Sequence, residues 1–417
     1  MTRRRRVVLA TRIFAPEAAA ATFRLGALVR ALAGQAEVRV LTATPPPHLR
    51  GRHTPDDGKV HVSRWPVLRD ATGYVRGYLP YLSFDLPLAL RLLTEPRPDV
   101  VVVEPPPTTG AVVRTVGALR RIPYVYYAAD VWSDATASMG APAVVVSAMR
   151  AVESYALRGA RDVIAVSDGV ADRVRSLLGA ASGVTVHVVP NGIDTDVFSP
   201  VGERHPEAPE TPYLVYAGTA SEWQGAEVFA EAMREVVAAE PGARLVFLGQ
   251  GSSWPALQRL RDELPAGAIE LRPLVPPQEA AAWLRGAAAA LVSVRPGVGY
   301  DFAYPTKVIA ALATGVPVIF AGPGPAADDV REHGLGEAVA HDPAPVATAM
   351  LSAVRRAGGS SAAEREQRIT WVRERRSLTA TGAAAAAVVL PARPGRGGGA
   401  VDLPSEDERS AGPRPRP

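Results

Sequence analysis

Short β-branched apolar runs alternate along this chain with longer amphipathic or alanine-rich segments. Val7–Thr11, Glu37–Leu41, Val100–Val103, Tyr124–Tyr127, Val163–Val166 and Val184–Val189 are near-continuous apolar runs of strand length, which predicts buried parallel strands. Between them, Thr22–Ala33, Val75–Leu93, Thr108–Arg120 and Asp168–Leu178 carry helical spacing. Strands that are apolar on both faces, separated by helices, predict an open α/β sheet covered on both sides. The alternation pauses after Pro190-Asn191-Gly192, where residues 199–212 collect Pro200, Pro206, Pro209 and Pro212 among charges. It restarts with Leu214–Tyr216, Arg244–Leu248, Ile269–Leu271, Ala289–Val294 and Val316–Phe320 as strands. The pattern therefore predicts a Rossmann-like domain over 1–198, a proline-rich linker over 199–212, and a second Rossmann-like domain over 213–376. A ligand is expected in the cleft beyond the carboxyl ends of the strands. From Pro391 to Pro417 apolar side chains nearly vanish, and that tail is expected to be disordered.

Composition narrows the classes. The chain has 417 residues and no cysteine, which excludes a disulfide framework, a cysteine nucleophile and thiolate metal sites, and suits a reducing cytoplasm. The net charge of +4 equals the contribution of Arg3, Arg4, Arg5 and Arg6 alone. The rest of the chain is near neutral and lacks the basic footprint of a nucleic-acid binder. These arginines and the small residues Ala18 to Ala21 imitate a twin-arginine signal, but Arg12 cuts the apolar run, so the segment reads as a first buried strand. The greasiest stretch, Tyr78 to Leu93, contains Asp85, Arg91, Pro80 and Pro87 and is too interrupted to span a bilayer. Two readings of this region stand side by side. The arginines and the Tyr74–Leu93 helix meet an anionic membrane at its inner face, or they form a flexible basic end and a core-packing helix. Of the 46 basic residues only Lys59 and Lys307 are lysine.

Three segments carry a resemblance. Val188-Val189-Pro190-Asn191-Gly192-Ile193-Asp194 with Phe198-Ser199-Pro200 is similar to an interdomain signature. Tyr304-Pro305-Thr306-Lys307 with Ala313-Thr314-Gly315-Val316-Pro317-Val318-Ile319 is similar to a donor-site segment. Phe14-Ala15-Pro16-Glu17 with Phe23-Arg24-Leu25 is similar to the first loop of a branch that builds bacterial surface sugars. Together, across residues 1–376, they resemble glycosyltransferase family 4, which implies the GT-B fold. It also implies retaining transfer from a nucleotide-diphosphate sugar, with no metal and no other cofactor.

The chemistry agrees with that implication. A diphosphate leaving group needs its charge neutralised, and helix N-termini with fixed cations do so without metal. Pro305 and Thr306 suit a helix start, and Lys307 is a cation at a helix end that disfavours cations unless an anion binds there. Arg295, at the carboxyl end of a strand, is the second candidate cation. The resemblance assigns Gly218, Thr219, Trp223, Gln224, Gly251, Pro305, Thr306 and Val308 to the donor. It makes Lys307, Arg295 and Asp130 the catalytic candidates, and turns Glu17, Arg24 and Trp132 toward the acceptor. Gln224 stands where a basic residue is common in the family. Ala310 stands where the family's glutamate meets the nucleotide ribose, with Phe302 eight residues earlier and Asp301 as a neighbouring substitute. Glu227 and Glu235 repeat that glutamate spacing on a different helix.

Asp194-Thr195-Asp196 mimics a metal-binding triplet but follows the interdomain turn. Gly249-Gln250-Gly251 lacks the third glycine of a dinucleotide fingerprint, and no histidine spacing suggests zinc. The acceptor is left open among a cell-surface polysaccharide, a lipid-linked glycan and a small molecule. The alternatives are a catalytically silent homologue acting as a partner protein, and a nucleotide-sugar epimerase.

Overall fold

The computed structural model describes residues 4–17, 19–49, 60–70, 75, 77–138, 141–356 and 361–391. Lys59, Arg3, Ala18, Tyr74 and the tail beyond Pro391 lie outside them. Two parallel-sheet α/β domains make up the molecule. The first sheet contains β1 (Arg5–Ala10), β2 (Ala36–Ala43), β3 (Val60–Trp65), β4 (Val100–Val103), β5 (Tyr124–Ala128), β6 (Asp162–Ala165) and β7 (Thr185–Val188), in the order 3-2-1-4-5-6-7. The second contains β8 (Tyr213–Ala217), β9 (Arg244–Leu248), β10 (Ile269–Arg272), β11 (Ala289–Ser293), β12 (Val318–Ala321) and β13 (Gly336–Val339), in the order 10-9-8-11-12-13. Each order reverses once, between β1 and β4 and between β8 and β11. Those reversals open crevices at the carboxyl ends of the strands.

Several sequence expectations change. β3 is absent from the predicted set because its residues alternate apolar and polar along a sheet edge, whereas the prediction sought continuous apolar runs. β7 closes the other edge, and its residues are exposed or half-buried rather than buried. β13 carries one β-branched residue in Gly-Glu-Ala-Val, and its pairing with β12 defines it. The last predicted strand starts at Val318 rather than Val316, after Gly315 has closed the preceding helix and Pro317, which has no N–H, has passed. Helix Ala143–Arg158 also went unpredicted, since its β-branched opening Val144-Val145-Val146 hides its helical period.

The arginine-rich start is not a flexible end among the described residues. Arg4 donates to the Ala33 carbonyl at 2.7 Å, Arg5 to the Pro391 carbonyl at 3.2 Å, and Arg6 to Glu37 at 3.1 Å. Helix Tyr78–Thr94 is amphipathic in an unusual sense. Phe84, Leu88 and Leu92 enter the first core, while Leu79, Leu82, Leu86, Leu90 and Leu93 form an exposed row at helical spacing. Its acid, Asp85, is buried and accepts a hydrogen bond from Thr109 Oγ1 at 2.6 Å. The helix therefore packs into the core along one row and leaves a second apolar row exposed.

The chain passes between the domains twice, and the two passages touch. Ile193 N donates to the Arg376 carbonyl at 2.7 Å, and Leu378 N returns a bond to the Ile193 carbonyl at 2.9 Å. A Cβ on Gly192 would stand 2.8 Å from the Ser377 carbonyl oxygen and 2.6 Å from Thr381 Oγ1, so this close approach requires glycine. Helix Leu378–Val389 then packs on helix Ala20–Ala33 of the first domain. Residues 199–212 do not hang between the sheets. His205 stacks on Trp283 at 4.5 Å, and Arg285 binds the carbonyls of Ser199 and Glu203.

Candidate functional site

The crevice between β8 and β11 holds a cavity of about 620 Å³. Its floor is hydrocarbon from the ends of β8, β9 and β11, because those strands are buried on both faces. Its rim is made by the loops that leave them. After β8 the chain turns at Gly218, whose φ of +118° suits glycine, and its amide bonds the Leu248 carbonyl at 2.8 Å. Residues 221–224 close a turn in which Gln224 N donates to the Ser221 carbonyl at 2.9 Å. In return, Gln224 Oε1 accepts from Ser221 N at 3.1 Å. Gln224 is therefore buried in the service of its own loop. Trp223 stacks on Tyr300 at 5.0 Å, fastening this loop to the one after β11.

Lys307 is the cation of the cavity. It lies in the first turn of helix Thr306–Ala313, where Pro305 is the N-cap rather than the first helical residue and gives no side-chain cap. Lys307 Nζ donates to the Thr219 carbonyl at 2.9 Å and sits 3.8 Å from the centre of the Tyr216 ring. The same carbonyl also accepts from Tyr216 Oη at 3.0 Å. No carboxylate among the described residues pairs with Lys307. Burial, unrelieved by an opposite charge, lowers its pKa from 10.5 to about 7. A helix N-terminus without a side-chain cap and a partly buried ammonium beside it suit an anion.

Of the residues expected at the donor, Gly218, Thr219, Trp223, Gln224, Pro305 and Thr306 line this cavity together with Lys307. Val308 does not; it is fully buried on the opposite side of the helix, in the second domain's core. Gly251 is also off the wall. It lets the loop after β9 pass behind the Gly218 loop, where a Cβ would meet the Ala220 carbonyl oxygen at 2.2 Å. Arg295 leaves β11 beside the cavity, but its guanidinium faces Glu227 at 3.6 Å, so it is half-compensated rather than free. The Glu227 side of the repeated glutamate spacing thus has a local partner. Asp301 does not replace the missing glutamate: its Oδ1 accepts from Gly297 N at 3.1 Å and holds the loop. Phe302 reaches across to the first domain, where a Cβ on Gly169 would lie 2.9 Å from its Cβ.

Sequence reasoning missed the wall opposite Lys307. Leu274, Val275 and Pro277, which follow β10, join Phe198 and Ile193 from the interdomain passage. The signal available was the Leu274-Val275-Pro276-Pro277 run directly after a strand.

In the first domain the predicted acceptor residues have other partners. Arg24 is buried and forms an ion pair with Glu104, while its Nη1 donates to Asn191 Oδ1 at 3.2 Å. Glu104 Oε2 also accepts from Thr11 Oγ1 at 3.0 Å. Arg24 therefore ties helix Ala20–Ala33 to the interdomain turn and is neither on the helix surface nor open to an acceptor. Glu17 forms a two-pronged pair with Arg69, at 3.0 and 3.1 Å. Trp132 meets Tyr81 edge-on at 5.9 Å, and its amide and that of Ser133 donate to the buried Glu153. Arg12 lies over Tyr81 at 4.2 Å in the same cluster. Asp130 stands exposed just beyond β5. Asp194 uses its Oδ1 to accept from the amides of Asp196 and Val197, so the Asp194-Thr195-Asp196 triplet closes a turn.

Comparison with known proteins fits this geometry. Residues 20–192 match the family model described as a glycosyl transferase 4-like domain, and residues 211–356 match the one described as glycosyl transferases group 1. No curated protein sequence matches the chain. Among solved structures, the chain resembles Anabaena HepE in complex with UDP (15% identity, TM-score 0.64), covering 92% of this chain and 99% of that one. It also resembles WaaG, a glycosyltransferase involved in lipopolysaccharide biosynthesis (15% identity, TM-score 0.62, 93% and 100% covered). A putative UDP-N-acetylglucosamine 2-epimerase from Listeria monocytogenes shares the fold more distantly (13% identity, TM-score 0.56, 92% and 95% covered). At these identities the structures speak for the GT-B fold alone. With both family models matched in order over most of its length, the chain belongs to the glycosyltransferases that join a glycosyl transferase 4-like domain to a group 1 domain.

Proposed function

We propose that this glycosyltransferase moves a sugar from a nucleotide-diphosphate sugar to its acceptor with retention of configuration and without a metal ion. The observation that carries the reading is Lys307. It is a partly buried ammonium with no carboxylate partner among the described residues, at a helix N-terminus without a side-chain cap, in the crevice where the second sheet reverses. A diphosphate there supplies the missing negative charge, and the ammonium stabilises it further as the sugar–phosphate bond breaks. In the proposed step the bond from the anomeric carbon to the phosphate oxygen breaks while the acceptor oxygen bonds to the same face. The acceptor's proton passes to the departing phosphate oxygen. Asp130 is proposed to orient a sugar hydroxyl or to stabilise positive charge at the anomeric carbon, and Arg295, loosely held by Glu227, to supply a second cation. Neighbours crystallised with UDP and UDP-glucose make a nucleotide sugar the natural donor to test.

The acceptor side is proposed to meet a lipid surface. No helix among the described residues is long and apolar enough to cross a membrane. The exposed leucine row of helix Tyr78–Thr94, whose acid is buried, suits the plane of a lipid interface. With Arg4, Arg5 and Arg6 tied to the fold, this contact rests on apolar burial more than on charge, at the cytoplasmic face of the membrane.

The test is a panel of UDP-, GDP- and dTDP-sugars with chelator present, with release of nucleoside diphosphate followed and the product's anomeric proton read by NMR. Retained configuration in the presence of chelator supports the proposal. A strict metal requirement or inversion contradicts it. Conversion of a donor to its epimer with no acceptor present establishes the epimerase alternative.

A further inference from the structure

The cavity offers a diphosphate what it needs but withholds it from a ribose. A ribonucleotide brings vicinal 2′- and 3′-hydroxyls, two donors that require acceptors once they leave water. Among the described residues that line the cavity there is no carboxylate. The polar groups present are largely committed. Gln224 Oε1 is taken by Ser221 N, and the Thr219 carbonyl by Lys307 and Tyr216. The Tyr304 hydroxyl donates outward to Asp329 at 2.8 Å. The hydroxyls of Ser221 and Thr306 belong to the two rim segments that cradle the anion site. What remains deeper is hydrocarbon, including Ala310 one turn along the helix from Lys307, with Leu284 and Val292.

A carboxylate at position 310 is the group that the resemblance associates with the ribose. Its replacement by a methyl group, with no other acid on the wall, lowers the value of a 2′-hydroxyl from a gain to a desolvation cost. A 2′-deoxyribose presents a methylene at that carbon and brings no donor to be satisfied there. Building on the nucleotide-sugar reading above, we propose that the donor is a 2′-deoxynucleoside diphosphate sugar, selected against its ribonucleotide counterpart by the apolar wall at Ala310.

Calorimetric titration of the full chain with UDP, 2′-deoxy-UDP, 5-methyl-UDP and dTDP reads the effect of the 2′-hydroxyl on two bases. The proposal requires 2′-deoxy-UDP to bind about tenfold tighter than UDP, and dTDP tighter than 5-methyl-UDP by a similar factor. Ala310→Glu should shift the deoxy-to-ribo ratio toward the ribonucleotide, a change that a general loss of packing does not produce. Ala310→Ser, small enough for the buried helix, should move the ratio the same way by less. UDP binding as tightly as 2′-deoxy-UDP overturns the inference while leaving the nucleotide-sugar reading intact. Failure of all four nucleotides to bind overturns both.

Discussion

Donor binding should be coupled to a proton on Lys307. In the free enzyme burial lowers the pKa of this ammonium to about 7, and a bound diphosphate should raise it toward its ordinary value of 10.5. Between these values the complex holds a proton that the free enzyme lacks, so donor affinity must fall as pH rises. Taking the two values as limits, affinity changes less than about twofold between pH 6 and 7. It then drops about 50-fold between pH 7 and 9, equivalent to about 2.3 kcal/mol. At pH 8 binding should take up about 0.9 proton per donor. The effect on folding has the opposite sign. Lys307 has a lower pKa folded than unfolded, so its contribution to stability grows as pH rises from 7 through 10.5. Calorimetry with a nucleotide-diphosphate sugar in two buffers of different ionisation enthalpy reads both affinity and proton uptake. A Lys307→Arg variant keeps its charge throughout and should lose the slope. A flat wild-type profile from pH 7 to 9, or the same slope in Lys307→Arg, would refute the reasoning.

Other predictions concern the frame around the site. Arg24→Ala leaves Glu104 buried without its cation and should destabilise the protein by about 3–5 kcal/mol, read as a lowered denaturation midpoint; Arg24→Met with Glu104→Leu should recover most of that loss. Gly192→Val pushes side-chain atoms into the Ser377 carbonyl and should cost at least about 1–3 kcal/mol, while loosening the paired interdomain passages to proteolysis. Leu86→Glu combined with Leu90→Glu should abolish flotation with liposomes and leave the thermal midpoint unchanged. Wild-type flotation that requires anionic lipid would contradict the apolar basis of the contact.

The architecture was legible because its strands are buried on both faces and so appear as continuous apolar runs. The strands Val100–Val103 and Arg244–Leu248 and the helix Asp168–Leu178 have the very bounds the pattern predicts. Elements at the margins escaped for the same reason: β3 alternates along an edge, and β13 is held by its neighbour more than by its own residues. In the site, Lys307 was legible because lysine is rare here and a cation is out of place at a helix start. The partners of Arg24, Glu17 and Arg295 were not legible. Glu104, Arg69 and Glu227 lie 80, 52 and 68 positions away in the chain and meet them only once the sheet of their own domain has formed. The apolar wall after β10 was hidden by its ordinariness, since leucine, valine and proline after a strand read as loop packing until the cavity shows what they enclose.

The most direct test is the initial rate of nucleoside diphosphate release from the preferred donor, measured with chelator present, for wild type and Lys307→Ala. Loss of a preorganised cation from the leaving group should lower turnover by about 10²–10³, roughly 3–4 kcal/mol, with the fold intact by circular dichroism. Equal rates would contradict the assignment of Lys307 to the donor diphosphate.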